Sequence, residues 1–134
     1  ISLNQGVDMV LHAIFTSWGG EIFVPKIPSY KINDVAEAIA PECKYEIVGM
    51  RPGEKLHEEM ITVNDALNTV DFDDYLVIIP NSTYLYWDIE SFINESNQSK
   101  GKFCQENFSY NSDTNNDFLT IDDLTKLLET NYFS

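Results

Sequence analysis

The sequence predicts an α/β fold, and three stretches carry that prediction. Residues 2–16 (SLNQGVDMVLHAIFT) place apolar side chains at helical spacing, while EIFVP at 21–25 and YLVIIP at 75–80 have the branched and aromatic content of strands. A chain of 134 residues, 43% of them apolar, can bury one core of domain size. The chain is therefore expected to fold as one unit or to be a piece of a larger one.

The first half is predicted to alternate helices and strands. Ser2 is a plausible cap for the first helix, which would pack its apolar stripe on the body and leave Asp8 and His12 in solvent. The stripe consists of Leu3, Val7, Val10, Leu11 and Ile14. After the first strand, Asn33 or Asp34 caps a second helix that ends before Pro41, and KYEIV at 44–48 is predicted as the next strand. A strand, a helix and a strand in about thirty residues make an α/β unit.

The second half is predicted in three parts. Up to residue 80 the α/β core continues, with a strand or short helix at 56–61, a helical turn at 64–67 and the strand at 75–80. Residues 81–105 are expected to be a polar loop. The tail, 106–134, holds a polar turn and a helix that Thr120 and Asp123 cap, with Leu124, Leu127 and Leu128 as its apolar stripe.

Charge restricts the partners of the chain. The net charge is −14 and the pI is near 4.2, which argues against nucleic acid and anionic membranes as partners, since both require clustered Lys and Arg. Residues 1–60 carry a net charge of −4 and residues 61–134 a net charge of −10, so an anion site is expected in the first half. The acids of the second half form a solvated surface or an acidic face that binds a partner.

Cysteine usage and the first residues suggest a cytoplasmic fragment. Cys43 and Cys104 are too few and too far apart for a disulfide framework or a metal pattern, so two reduced thiols are expected. No apolar run has the length of a membrane span. The chain begins at Ile1 with a helix already in progress, which suggests that it was cut from a longer protein.

Arg51 is the only arginine, and it opens the string RPGEK at 51–55. Its planar fork suits two phosphate oxygens at once. Pro52 fixes one dihedral and Gly53 can adopt a positive φ, so a sharp turn would aim Arg51 and Glu54 from one rigid corner. Such a corner could hold a diphosphate and a sugar diol. The alternative is an ordinary surface turn in which Arg51 pairs with a nearby acid.

One long stretch resembles a known enzyme family. GGEIFVPKIPSYKINDVAEAIAPECKYEIVGMRPGEKLHEEMI, residues 19–61, is similar to the C-terminal region of the inverting UDP-N-acetylglucosamine 4,6-dehydratases. These are extended members of the short-chain dehydrogenase/reductase superfamily that begin pseudaminic acid synthesis. The likeness continues more weakly through 2–16 and through YNSDTN at 110–115. It implies an α/β fold in which this chain is the small C-terminal substrate-binding subdomain of an extended Rossmann-type short-chain dehydrogenase/reductase. The Rossmann core itself would be largely missing from the chain.

The resemblance implies roles for particular residues. Arg51 would grip the diphosphate of a UDP-sugar and Glu54 would bind the nucleotide ribose. Lys26 would add a point charge or line the base pocket with Ile27, Pro28 and Ser29; a solvated lysine at a strand end is the alternative. The resemblance places proton transfer elsewhere, so His57 is a candidate general acid or base from its own chemistry alone, with a structural histidine as the alternative.

The catalytic motifs of that family are absent from this chain. None of its seven lysines follows a tyrosine by four positions, and its six glycines cannot build a dinucleotide fingerprint. NADP would therefore be bound by a missing N-terminal domain, and the chain alone should be inactive. The parent is expected to be a cytoplasmic, homo-oligomeric NADP-dependent lyase. The resemblance implies that it removes hydride from C4 of the sugar and expels water across C5 and C6. It would then return the hydride to C6 and reprotonate C5 from the opposite face. Its product would serve surface glycans, as in flagellin glycosylation.

A rival interpretation concerns the tail. Asp113, Asn115 and Asp117 stand at positions 1, 3 and 5 of a calcium loop, which makes a non-catalytic acidic interaction or calcium-binding module the alternative function. Phe118 replaces the glycine and Leu124 the glutamate that such a loop requires, so no metal site is predicted. YNSDTN is interpreted as the C-terminal motif of the family or as an ordinary capped turn.

Overall fold

The computed structural model describes residues 1–81, 86–95 and 100–132. The chain divides into two compact units. The first comprises Ile1–Ile27 and Met60–Tyr110, and the second comprises Pro28–Glu59 and Asn111–Ser134.

Helices and strands are interspersed along the described part of the chain, without strict alternation. The helices are α1 (Leu3–Thr16), α2 (Ile32–Ile39), α3 (Ile89–Glu95) and α4 (Ile121–Tyr132), with a 3-10 turn at Ala66–Asn68. The strands are β1 (Ile22–Pro25), β2 (Glu59–Ile61), β3 (Thr69–Asp71), β4 (Tyr75–Ile78), β5 (Lys102–Phe103) and β6 (Tyr110–Asn111). None of the described helices is long and apolar enough to cross a membrane.

A four-stranded sheet in the order β1-β4-β3-β5 forms the centre of the first unit, and β2 and β6 form a two-stranded sheet. All three pairings of the larger sheet are antiparallel, with Val77 of β4 opposite Phe23 on one side and Val70 on the other. The predicted strands at 21–25 and 75–80 are thus confirmed as β1 and β4. They pair directly with each other across about fifty residues of sequence.

Both faces of β4 are buried, which explains its continuous apolar sequence. Tyr75 and Val77 belong to a cluster that also contains Phe72 and Phe92. Leu76 points to the opposite face and joins a second cluster with Val24 and Ile61. Since neighbouring strand residues alternate in direction, a run without polar residues is what a strand covered on both faces needs.

Helix α1 begins as predicted but turns a different face inward. Ser2 Oγ accepts a hydrogen bond from the Gln5 amide at 3.2 Å, and Gln5 Oε1 accepts one from the Ser2 amide at 2.8 Å, so a capping box starts the helix. The predicted apolar stripe, however, is exposed, with Leu3 at 84%. Met9 packs against the core instead, and His12 contacts Tyr75 edge-on with the ring centroids 4.8 Å apart. The prediction that His12 lies on the wet face was wrong, because the aromatic rings beneath α1 accept an imidazole edge.

The predicted strand at 44–48 does not form. These residues have no regular secondary structure, and Ile47 is 95% exposed. The strand-helix-strand unit expected over 21–48 is therefore wrong, and β1 pairs with β4 instead. Strand propensity is decided by the neighbours that a strand finds, and the described residues offer KYEIV no partner strand.

Helices α2 and α4 pack against each other in the second unit. Helix α2 begins after Lys31, which makes no side-chain capping bond, so the predicted caps Asn33 and Asp34 were wrong and lie inside the helix. Helix α4 was predicted correctly. The Asp123 amide donates to Thr120 Oγ1 at 3.2 Å, and the Thr120 amide donates to Asp123 Oδ2 at 3.0 Å. Of the predicted stripe of α4, Leu124 is buried and Leu127 is exposed.

Regular elements also occur within 81–105, where the sequence predicts a polar loop. Helix α3 supplies Phe92, which is 7% exposed and sits among Phe72, Trp18 and Trp87. Strand β5 pairs with β3. Parts of the predicted loop, at 82–85 and 96–99, lie outside the described residues. Strand β3 was also missed, because three residues are too short for a periodic signal.

The cap of α4 leads to a prediction about pH. Hydrogen bonds from the Thr120 hydroxyl and amide lower the pKa of Asp123 below its usual value. Because the folded-state pKa is depressed, the stabilisation is complete above the unfolded-state pKa and is lost as the pH falls through the folded-state pKa. We expect Thr120→Val to raise the pKa of Asp123 towards its ordinary value, as measured by carbon-detected NMR titration. Thr125→Val, within the same helix, is the control and should leave it depressed. An unchanged Asp123 pKa in Thr120→Val would contradict the cap.

Candidate functional site

The RPGEK string forms the sharp turn that its sequence predicts. Gly53 has φ +89°, the conformation that a type II turn requires at its third residue, and the Glu54 amide donates to the Arg51 carbonyl at 3.1 Å. The Glu54 carboxylate folds back over the turn, where Oε2 accepts from the Arg51 amide at 2.7 Å. One backbone hydrogen bond and one side-chain hydrogen bond therefore close the turn, and the side chains of Arg51 and Glu54 lie next to each other.

The side chains of this turn face solvent. Arg51 is 79% exposed and Glu54 is 49% exposed, with Arg51 Nε 4.0 Å from Glu54 Oε1. An ion pair at this distance and exposure contributes little to stability. The guanidinium is therefore held only loosely, and most of it can meet a ligand.

Lys26 follows β1 directly in the first unit and forms an ion pair. Its Nζ is 2.7 Å from Asp71 Oδ1, and both side chains are about one-third exposed. The Asp73 amide donates to the same oxygen at 2.8 Å, which fixes the carboxylate. The sequence shows no sign of this pair, since 45 residues separate its members.

A cavity of about 350 Å³ beside Lys26 was not predicted. It is lined by Ile1, Gln5, Asp8, Met9, His12, Pro25, Lys26, Ile27, Asp74 and Tyr75, all from the first unit. Within it, His12 Nε2 is buried without a hydrogen-bond partner among the described residues. The only sequence signal was the single histidine of α1, which the helical pattern assigned to the wet face.

The YNSDTN string belongs to a compact turn at residues 111–117, called the tail turn below. Asn111 Oδ1 accepts from the amides of Asp113 and Thr114, each at 2.9 Å, and from Thr114 Oγ1 at 3.1 Å. Asn115 Oδ1 accepts from the Asp117 amide at 3.1 Å. Short polar side chains that bond their own backbone are typical of such turns, which agrees with the capped-turn interpretation.

The tail turn also contacts two distant segments of its own unit. Asn115 Nδ2 donates to Ser29 Oγ at 2.9 Å. His57 Nε2 lies 3.5 Å from Asp113 Oδ1, and the Glu58 amide donates to Ser112 Oγ at 3.1 Å. Through these contacts the tail turn meets Ser29 on one side and His57 and Glu58 on the other.

Two of the three proposed calcium ligands have other partners here. Asn115 uses both ends of its amide, and Asp113 lies beside His57. Across residues 1–81, 86–95 and 100–132, no group of three or more His, Cys, Asp or Glu side chains is arranged to hold a metal ion.

Comparison with known proteins identifies the family. Residues 1–80, which include Lys26, Arg51 and Glu54, match the family described as polysaccharide biosynthesis protein. The chain is 45% identical over 115 residues to a Campylobacter jejuni protein named UDP-N-acetylglucosamine 4,6-dehydratase (inverting), covering 86% of this chain and 34% of that protein. It is 35% identical over 79 residues to a Rickettsia massiliae UDP-glucose 4-epimerase, covering 56% of this chain and 23% of that protein.

A solved structure shares the fold. The X-ray structure of Pen from Bacillus thuringiensis superimposes with a TM-score of 0.71 at 25% identity, over 97% of this chain and 37% of that one. The chain thus spans about a third of the length of the dehydratase that it resembles. From the match over 1–80, the chain belongs to the polysaccharide biosynthesis protein family.

Proposed function

We propose that this chain is the UDP-sugar-binding portion of an NADP-dependent UDP-N-acetylglucosamine 4,6-dehydratase and 5-epimerase. The observation that carries the proposal is the turn at Arg51 and Glu54, which presents a cation and a carboxylate side by side within the family-matching residues. A 45% identical protein bears the name of this reaction.

Arg51 is assigned to the diphosphate. A guanidinium can donate two parallel hydrogen bonds to phosphate oxygens, which a lysine cannot reproduce. Its ion pair with Glu54 is long at 4.0 Å, so a diphosphate can attract the guanidinium without breaking a strong contact. The rigid turn holds the backbone of Arg51 while its side chain adjusts.

Glu54 is assigned to the ribose of the nucleotide. Oε2 is already bound to the Arg51 amide, which orients the carboxylate. Oε1 can accept a hydrogen bond from a ribose hydroxyl while that bond persists, since a carboxylate accepts at both oxygens. The pair would thus recognise a sugar next to a diphosphate.

Two other predicted residues receive smaller roles. Lys26 can offer its charge to a nucleotide only in competition with Asp71, which lies 2.7 Å away. His57 contacts Asp113 at 3.5 Å, and we assign it no proton transfer. The residues of this chain would bind and orient the substrate, which can contribute greatly to rate.

The residues of this chain do not fit NADP, which we assign to another part of the enzyme. The chain has neither the Gly-rich turn nor a tyrosine four residues before a lysine. The whole enzyme would act in the cytoplasm as a homo-oligomer, forming a 4-keto-6-deoxy sugar nucleotide of inverted configuration for glycans of the pseudaminic acid type, as in flagellin glycosylation.

Calorimetric titration of the 134-residue chain with UDP tests the proposal. We expect wild-type protein to bind and Arg51→Lys to bind about 10- to 100-fold more weakly, because loss of the planar fork removes charge-assisted hydrogen bonds. Glu54→Gln should also weaken binding, through the lost acceptor charge.

Lys55→Ala is the matched control, since it removes a positive charge directly beside the turn. Binding should change less than about threefold if the fork of Arg51 matters more than local charge. A larger loss in Lys55→Ala than in Arg51→Lys would indicate unspecific attraction and contradict the assignment. A calcium-binding module would be favoured if the wild-type chain released heat with Ca²⁺ but not with UDP, and if Asp113→Ala abolished the heat from Ca²⁺.

A further inference from the structure

We infer that the tail turn is a positioning element for the proposed nucleotide site, with Asn115 as its central positioning residue. The inference rests on the proposed function, and it assigns a role to the YNSDTN motif, which that function leaves without one. The residues involved all belong to the second unit.

Asn115 holds Ser29, which lies in the segment that would border the base. Its Nδ2 donates to Ser29 Oγ at 2.9 Å, while its Oδ1 accepts from the Asp117 amide at 3.1 Å. One amide therefore connects the tail turn to Ser29 and closes the turn itself. An alanine at this position would lose both bonds.

The backbone of Ser29 is tied to the same part of the tail. Its amide donates to the Asp117 carbonyl at 2.8 Å, and its carbonyl accepts from the Leu119 amide at 2.9 Å. Ser29 and Phe118 thereby form a parallel β-bridge. With the side-chain bond from Asn115, three hydrogen bonds set the position of Ser29.

The other end of the tail turn holds the segment that follows the RPGEK turn. The Ser112 amide donates to the Glu58 carbonyl at 2.9 Å, and the Glu58 amide donates to Ser112 Oγ at 3.1 Å. His57 adds its contact with Asp113. Glu58 lies only four positions after Glu54, so this anchor restrains where the turn can lie.

The tail turn therefore sets the spacing between two segments that sequence alone leaves unrelated. Ser29 is 86 residues from Asn115, and Glu58 is 54 residues from Ser112. If Ser29 borders the base and Glu54 binds the ribose, their separation must match one nucleoside. A preorganised spacing increases affinity because less ordering is needed on binding.

The test measures UDP affinity and amide hydrogen exchange on the 134-residue chain, well below its unfolding temperature. Asn115→Ala should raise the UDP Kd about 3- to 10-fold and speed exchange at the amides of Ser29 and Leu119. Asn115→Asp, which keeps the acceptor and can accept from the Ser29 hydroxyl, should recover most of the affinity. Asn116→Ala is the matched control: it alters the exposed neighbouring asparagine and should change neither readout.

Ser112→Ala provides a second variant in case Asn115→Ala does not fold. It should speed exchange at the Glu58 amide and raise the UDP Kd about two- to fivefold. A purely structural role would lower the thermal midpoint while leaving the UDP Kd of the folded protein unchanged. That result, or unchanged exchange at Ser29 in Asn115→Ala, would overturn the inference alone. Absence of UDP binding in the wild type would overturn the proposed function and this inference with it.

Discussion

Leu76→Ala is expected to lower the free energy of unfolding by about 2–5 kcal/mol, because the substitution leaves a cavity in a closed part of the core. Leu76 is 0% exposed on the central strand β4, and it packs with Val24 and Ile61. Urea denaturation followed by tryptophan fluorescence would measure the loss.

Leu67→Ala is the matched control for this substitution. Leu67 is 60% exposed, so the same change should cost less than about 0.5 kcal/mol. Equal losses in the two variants would mean that β4 is not covered on both faces.

Gly101→Ala is expected to cost about 1–3 kcal/mol, through overpacking. A Cβ at residue 101 would lie 2.6 Å from Val70 Cγ1 and 2.7 Å from Phe72 Cε1, much closer than carbon atoms approach. Both of these side chains are buried within the core and have little room to move. The measurement is the thermal midpoint, followed by circular dichroism.

Gly6→Ala makes the same chemical change but should stabilise the protein instead of destabilising it. A Cβ at Gly6 meets nothing within 4 Å, and the residue lies inside α1, where alanine is favoured by about 0.5–1 kcal/mol. We therefore expect a higher midpoint. A neutral Gly101→Ala would show that the backbone before β5 does not approach Phe72 as closely as described.

Local chemistry accounts for most of the correct predictions. The capping pairs of α1 and α4 and the RPGEK turn involve residues no more than three positions apart. Such contacts form wherever the backbone permits them, so side-chain chemistry suffices to predict them. The strand at 75–80 was equally clear, because a run buried on both faces tolerates no polar residue.

The wrong predictions concern segments whose structure depends on contacts with distant parts of the chain. KYEIV at 44–48 has strand composition but finds no adjacent strand among the described residues, and Ile47 is left exposed. Helix α1 has an apolar stripe, yet Met9 and His12 face the core. Periodicity predicts that a helix is amphipathic, but the tertiary structure decides which side is covered.

The candidate site likewise contains local contacts that the sequence predicts and long-range contacts that only the tertiary structure shows. By itself the sequence determined that Arg51 and Glu54 share one turn, because Pro52 and Gly53 restrict the backbone between them. Only the tertiary structure decided that Lys26 pairs with Asp71 and that the tail turn holds Ser29 and Glu58. Contacts between residues 45 to 86 positions apart depend on how the whole chain folds, and no local spacing encodes them.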